Sequence, residues 1–481
     1  MKILFIILDG LGDRPIKELG DKTPLEAAKT PNFDFLASQG ICGLIEPVYQ
    51  GKFPTSKDAH LSLFGYDLKK WGMARGVFEV LGIGMELGKE DIALRGNFST
   101  VDSNFKIVDR RAGRISDTKP LIKALQKITI EGVKFLLAPA VSHRLGIILR
   151  GRNLSDKISD GDFHKANIRA PKIRPLEKSP EARFTARVLN KFLLNSHQIL
   201  KNHPLNKKRI KKGQLAANYI LVREAGKLKK LQSFEKKWRM KACCIAGGVL
   251  YKGIAKVLGM DLIKVKGATG KANTDLEAKF KAAKNSLKRP APYRNEVSGA
   301  GYDFCYLHIK ATDNFSHDGD FLGKKKFIEK IDRNLPIFLD LKDVLITITG
   351  DHSTPCGVKE HTADPLPVLV FGLPSGARGK KRRSFFALPS GARGKKRRSF
   401  FALPSGARGK KRRSFFALPS DSEGGRRKFT FFALEKDGVH PPQFSSKFGR
   451  VKKFSEKECQ KGKIGKIKST DFMRRILTCN F

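Results

Sequence analysis

The chain has 481 residues and carries 95 Lys and Arg against 46 Asp and Glu, a formal charge of +49. Its seven cysteines show no CxxC pair and no disulfide-rich spacing, and no uninterrupted apolar span approaches membrane length, which argues against a disulfide-stapled secreted domain and a membrane-spanning one. The length suffices for two domains with large cores, and so high a charge attracts polyanions: nucleic acid, anionic membrane or phosphorylated substrate. Much of it is Lys on helical stretches, where a solvated face is the simpler reading.

From the N-terminus, Ile3-Leu4-Phe5-Ile6-Ile7-Leu8 is a short apolar run of the kind that forms a buried parallel strand, and it ends at Asp9-Gly10. The run is too short for a signal peptide and Cys305 sits in a predicted core strand, so the chain reads as cytoplasmic. Thr23-Pro24-Leu25-Glu26 predicts a helix start with Thr23 as N-cap, and Ala28 to Gly40 keeps helical spacing. Within Thr55-Ser56-Lys57-Asp58-Ala59-His60 a hydroxyl precedes a helix, a good place for a nucleophile if a metal or base activates it. Taken alone, that segment reads as easily as an ordinary loop.

From about Asn97 to Arg223 the pattern changes to short alternating runs such as Leu145–Leu149, followed by a basic helical stretch from Pro180 to Lys212. This predicts a separate α+β domain inserted into the first. The α/β pattern resumes near Lys241, and Asn285 to Gly301 reads as a surface loop. Phe304–Ile309 then leads to Asp313 and His317, and Val344–Thr349 leads to Asp351 and His352, with His361 close behind. In open α/β sheets the ligand crevice lies at the carboxyl ends of the strands. Three strands ending in Asp and His would therefore converge on one site, and that ligand set suits a pair of divalent cations.

After the strand Pro367–Phe371, the unit Leu-Pro-Ser-Gly-Ala-Arg-Gly-Lys-Lys-Arg-Arg-Ser-Phe-Phe-Ala occurs three times unchanged, from Leu373, Leu388 and Leu403, with a degraded copy from Leu418. Each perfect copy has five basic residues and no acid, so the three contribute +15. Such a unit cannot bury much surface and matches no solenoid period, so a disordered insert capable of nonspecific nucleic-acid contact is expected. The expected organisation is a metal-binding domain over 1–95, 226–372 and 451–481, an inserted cap over 96–225, and the basic insert over 373–450.

Several stretches together resemble the archaeal-type 2,3-bisphosphoglycerate-independent phosphoglycerate mutases of the alkaline phosphatase superfamily. They include Leu8-Asp9-Gly10-Leu11-Gly12-Asp13-Arg14-Pro15, Leu61 to Asp67, Arg75-Gly76 with Phe78-Glu79, and Asp109 to Ser116. Gly267-Ala268-Thr269-Gly270, Thr312-Asp313 with His317-Asp318, Gly350 to Cys356, and Phe454 to Glu458 with Gly465 to Ile467 continue the likeness. The resemblance implies an alkaline-phosphatase-like three-layer α/β/α sandwich with a smaller α+β cap, and interconversion of 3- and 2-phosphoglycerate through a phosphoserine. It implies one metal on Asp9, Ser56, Asp351 and His352 and a second on Asp313, His317 and His361, with Ser56 as nucleophile. Manganese is the expected ion, and oxygen and imidazole ligands also fit Zn, Co or Mg. Asp109, Arg110, Arg114, His143, Arg144 and Arg223 are the candidates for holding phosphoglycerate, since Arg forks grip carboxylate and phosphate.

The chain departs from the family at Lys57, where an acid is usual beside the nucleophile, and at Ser469-Thr470-Asp471, where Gly-His-Asp is usual. Thr55 also becomes a rival hydroxyl. Two other readings stay open: a phosphohydrolase or phosphotransferase on the same scaffold, and a polyanion-binding protein whose site is vestigial.

Overall fold

A computed structural model of the protein describes residues 1–49, 53–288, 301–372 and 451–479. The chain begins with two strands of a large sheet, β1 (Lys2–Leu8) and β2 (Ile41–Glu46). It then leaves to build a second sheet from β3 (Ile92–Val101), β4 (Ile107–Asp109), β5 (Thr129–Ile130), β6 (Val133–Pro139), β7 (Arg144–Arg150) and β8 (Tyr219–Gly226). It returns to the large sheet with β9 (Ala242–Ile245), β10 (Asp261–Leu262), β11 (Phe304–Ile309), β12 (Val344–Thr349), β13 (Leu366–Phe371) and β14 (Gly465–Lys468).

The large sheet runs β10-β9-β11-β1-β12-β13-β2-β14, so β1 lies inside it between β11 and β12, parallel to both. That position explains the unbroken apolar run: Ile3 to Leu8 are all fully buried, because both faces of β1 are covered. Ile3, Phe5 and Ile7 pack with Phe64, Phe78, Ile254 and Phe472 on one face. Leu4, Ile6 and Leu8 pack with Phe33, Phe280 and Phe327 on the other, which completes an α/β/α sandwich. In the second sheet Ile92, Leu94 and Phe98 of β3 pack against Val188, Leu189 and Phe192 from the Pro180–Asn202 helix.

Proline sets where several helices begin. Thr23 and Glu26 form a capping box, as the start signal predicts, but the helix stops at Ala27 and a new one begins at Pro31. The residue before proline is pushed out of the helical region. The basic stretch from Pro180 likewise divides at His203, whose ψ of 135° is extended, and restarts at Pro204. The Leu276–Leu287 helix runs past Asn285, so the loop expected there starts later.

The segment beyond the basic insert belongs to the large sheet. β14 pairs in parallel with β2, and Phe472, Met473 and Ile476 of the Ser469–Thr478 helix enter the core beside Phe5. The tandem units between 373 and 450, residues 289–300 of the predicted loop, and Gly51 and Lys52 lie outside the described residues. No described helix is long and apolar enough to cross a membrane.

Candidate metal centre and substrate pocket

The register of the central strands assembles the site. Leu8 pairs with Ile309 and Ile7 with Thr349, so Asp9, Lys310 and Asp351 emerge together at the carboxyl ends. Asp9, Asp351 and His352 are fully buried and Asp313 is 1% exposed. Two groups of ligand atoms lie within 4.8 Å of one another: Asp9, Asp351 and His352, and Asp313, His352 and His361. His352 thus stands in both groups rather than in the first alone. It stacks on His361 with ring centres 3.6 Å apart, and the His361 Nε2 lies 3.7 Å from Asp313 Oδ1. His317 reaches the edge of the second group, its Nε2 3.4 Å from Asp313 Oδ2 and its Nδ1 2.7 Å from the Lys359 carbonyl.

Ser56 opens the Ser56–Leu63 helix, and its Oγ sits 3.1 Å from His352 Nε2. Thr55 is the N-cap of the same helix, its side-chain oxygen accepting from the Asp58 N–H at 3.3 Å. The rival hydroxyl is therefore occupied in starting the helix. Lys57 is ion-paired with Asp58 at 2.8 Å.

Neighbours that the sequence did not single out complete the cluster. The Tyr251 hydroxyl donates to Asp9 Oδ2, and His308 Nε2 lies 3.1 Å from the same oxygen. The Lys310 ammonium bridges the two groups, 3.3 Å from Asp9 Oδ2 and bonded to Asp313 Oδ2. His60 Nδ1 is 2.7 Å from the Ser56 carbonyl. Thr354 Oγ1 joins the groups from behind, 3.0 Å from His352 Nδ1 and donating to Asp313 Oδ1 at 2.9 Å. His308 and Lys310 had a local signal, since each is a polar residue at the end of an apolar run. Tyr251 had none.

The electrostatics suit cations. Burial, reinforced by Asp9, pushes the Asp351 carboxyl well above the usual range. Burial acts the same way on Asp313, but the bonded Lys310 ammonium outweighs it and holds that group as a carboxylate. Burial lowers His352 and His60 to about 3, so both are neutral imidazoles, the form that ligates. Asp9 Oδ1 and Asp351 Oδ2 are buried without a hydrogen-bond partner. Three buried carboxyl groups beside neutral imidazoles, two of them with orphaned oxygens, fit divalent metal.

The second sheet supplies an arginine cluster. Arg110 grips Asp162 with two hydrogen bonds of 2.8 and 2.9 Å, and Arg223 lies 3.9 Å from the same carboxylate. Arg95 lies between Glu79 at 3.7 Å and Glu224 at 3.8 Å, and burial with the charge of Arg75 lowers it to about 9. Arg75 bonds Glu79 at 3.0 Å. The Nε atoms of Arg95 and Arg223 are buried without hydrogen-bond partners. His143 is buried, and burial with Arg144 brings it down to about 4. Asp109 instead holds its own turn, accepting from the N–H groups of Arg111 and Gly113, and Arg114 is exposed on the turn Ala112–Arg114. Arg75, Arg95, Glu79 and Asp162 were not anticipated as site residues. They come from a helix, a strand and a loop distant in sequence.

The Arg75–Ile83 helix, which carries Arg75 and Glu79, packs closely on the Val249–Val257 helix, which carries Tyr251. A Cβ at Gly253 would strike the Phe78 carbonyl, so the approach requires glycine.

The sequence pattern of the metalloenzyme superfamily matches residues 1–386. A 2,3-bisphosphoglycerate-independent phosphoglycerate mutase of Methanococcus aeolicus is 44% identical over 375 residues, covering 77% of this chain and 89% of that protein. Its counterpart in Archaeoglobus fulgidus is also 44% identical, over 377 residues, with 77% of this chain and 88% of the relative covered. Among solved structures, the cofactor-independent phosphoglycerate mutase of Thermoplasma acidophilum is similar at 30% identity and a TM-score of 0.61, covering both chains fully. A protein of Pyrococcus horikoshii aligns at 30% identity and a TM-score of 0.70, over 99% of this chain and 97% of that one.

Proposed function

Because the chain belongs to the 2,3-bisphosphoglycerate-independent phosphoglycerate mutases of the metalloenzyme superfamily, we propose that it interconverts 3- and 2-phosphoglycerate through a phosphoserine at Ser56. The enzyme is an isomerase. The observation that carries the mechanism is the placement of Ser56 at a helix N-terminus, its Oγ 3.1 Å from His352 Nε2, which lies 3.5 Å from Asp9 and 3.2 Å from Asp351. Asp9, Ser56, Asp351 and His352 would hold one divalent ion, and Asp313, His317 and His361 the other, with His352 near both. When bound, such ions neutralise phosphoryl oxygens and favour the ionised serine, and manganese is our choice among Mn, Zn, Co and Mg.

In the forward direction the Ser56 hydroxyl loses its proton as its oxygen attacks phosphorus, the bond from phosphorus to the glycerate 3-oxygen breaks, and that oxygen takes up a proton. Glycerate then turns, its 2-hydroxyl loses a proton as it attacks phosphorus, the bond from phosphorus to the Ser56 oxygen breaks, and that oxygen takes up a proton to restore the hydroxyl. Lys310 assists as charge rather than as an acid. Burial would lower it, but Asp9 and Asp313 outweigh burial and keep it an ammonium. The N–H groups at the start of the Ser56–Leu63 helix favour a phosphoryl group there.

Residues 96–225 serve as the cap that retains glycerate while it reorients. Arg110, Arg223, Arg144 and His143, with Arg95, would bind its carboxylate and keep water from the phosphoserine. The reaction is the glycolytic and gluconeogenic one. The free thiols of all seven cysteines, six of them buried, support a reducing cytoplasmic setting.

The test is conversion of 3-phosphoglycerate by the full chain. Chelation should abolish it, added Mn²⁺ should restore it, and 2,3-bisphosphoglycerate should be unnecessary. Full activity after chelation, or activity only with the bisphosphate, overturns the reading.

A further inference from the structure

A second buried charge lies behind the metal centre. Lys324, on the Phe321–Asp332 helix, is fully buried, and its ammonium is satisfied three times over. It donates to Asp13 Oδ2 at 2.8 Å, to the Gly12 carbonyl at 3.2 Å and to the Thr354 carbonyl at 3.3 Å. Gly12 follows Asp9 on one loop, and Thr354 follows Asp351 and His352 on another. Asp13 ties the same loops from the other side, since both of its carboxylate oxygens accept from the Cys356 N–H, at 3.1 and 3.2 Å.

The loops also touch directly. The Thr354 N–H donates to the Gly12 carbonyl at 3.1 Å, and a Cβ at Gly12 would overlap Ser353. Thr354 then reaches forward to His352 and Asp313 through its hydroxyl. An unpaired ammonium is strongly penalised in the interior, so Lys324 is held to these acceptors on the two loops.

We propose that Lys324 is a positioning residue of the metal centre: paired with Asp13, it clamps the loop carrying Asp9 to the loop carrying Asp351 and His352. The proposal rests on the metal-centre reading above. Groups that orient ligands in this way typically change metal affinity about 10–100-fold when lost.

The experiment measures Mn²⁺ binding to metal-free full-length protein by calorimetry, alongside thermal melting. Lys324→Met combined with Asp13→Asn removes the clamp without leaving a buried charge unpaired. The double variant should fold and bind Mn²⁺ at least tenfold more weakly, whereas Lys324→Arg should recover part of that loss. Phe192→Leu, in the second core, is the reference for lost stability alone and should leave Mn²⁺ affinity within twofold. Affinity within twofold of the parent for the folded double variant overturns the proposal, as does an equal loss in Phe192→Leu. If the double variant does not fold, Lys324→Gln with Asp13→Asn replaces it under the same criterion, and failure of that variant to fold also counts against a positioning role. Should the parent itself fail to bind Mn²⁺, the metal-centre reading falls instead.

Discussion

Adjacent hydroxyls at residues 55 and 56 have different tasks. Thr55 accepts the Asp58 N–H and starts a helix, while Ser56 faces His352. Ser56→Ala should therefore abolish both turnover and labelling of the protein from ³²P-phosphoglycerate. Thr55→Ala should keep most of both and lose about 1 kcal/mol of stability, the usual worth of an N-cap. Peptide mapping of the trapped phosphoprotein decides between them, and phosphate on Thr55 would reverse the assignment. Lys57, the departure from the family at this point, pairs with Asp58 and is 20% exposed at its side chain. Its charge is thus partly answered within the same helix. Individual residues were legible where they interrupted a pattern, as Asp9, Asp313 and Asp351 do at the ends of apolar runs. Tyr251 and Arg95 sit in unremarkable contexts, and only packing reveals what they touch.

Among the elements, the short Glu456–Cys459 helix connects the segment beyond the insert to the site loops. Glu456 accepts from the Thr23 hydroxyl at 2.8 Å and from the Asp13 N–H at 3.3 Å. Burial raises its carboxyl from 4.5 to about 7, outweighing the hydrogen bond from Thr23 and the charge of Lys324. The folded chain therefore holds a proton there that the unfolded chain has already released. Stability from this group is complete below about pH 4.5, declines as pH rises towards 7, and is level above that. Glu456→Gln should remove the decline, so the melting temperature of the variant minus that of the parent should rise between pH 4.5 and 7. Melting curves across that window check it, and a constant difference would show that another group is responsible. Helices themselves were predicted well at their starts, where Thr23, Pro24 and Pro180 mark the first turn. Their interiors were joined too readily, because apolar spacing continues across Pro31 and Pro204 although the backbone cannot.

For the whole molecule, the basic units pose the main question. Closing a longer loop costs only about 0.6 kcal/mol for each doubling of length, so a long insertion between β13 and the segment from Val451 is tolerable. Deleting residues 373–433 should leave folding and mutase rate near those of the parent. It should remove most retention of RNA or DNA on filters at low salt, since the three perfect units carry +15. Loss of turnover or of the cooperative melt in the deletion variant would mean that the units are structural.

By itself the sequence determined the central strands and the convergence of Asp and His at their ends. A strand covered on both faces must be apolar throughout, and its first polar residues mark the carboxyl end where a ligand can enter. The family likeness added the chemistry. Only the tertiary structure decided that His352 stands in both ligand groups, that Lys310 lies between them, and that Arg75, Arg95, Arg110 and Arg223 gather around Glu79 and Asp162. It alone placed Lys324 behind the site. Those contacts join residues from separate strands, loops and helices, and their distances follow from sheet register and helix packing, which no local periodicity encodes.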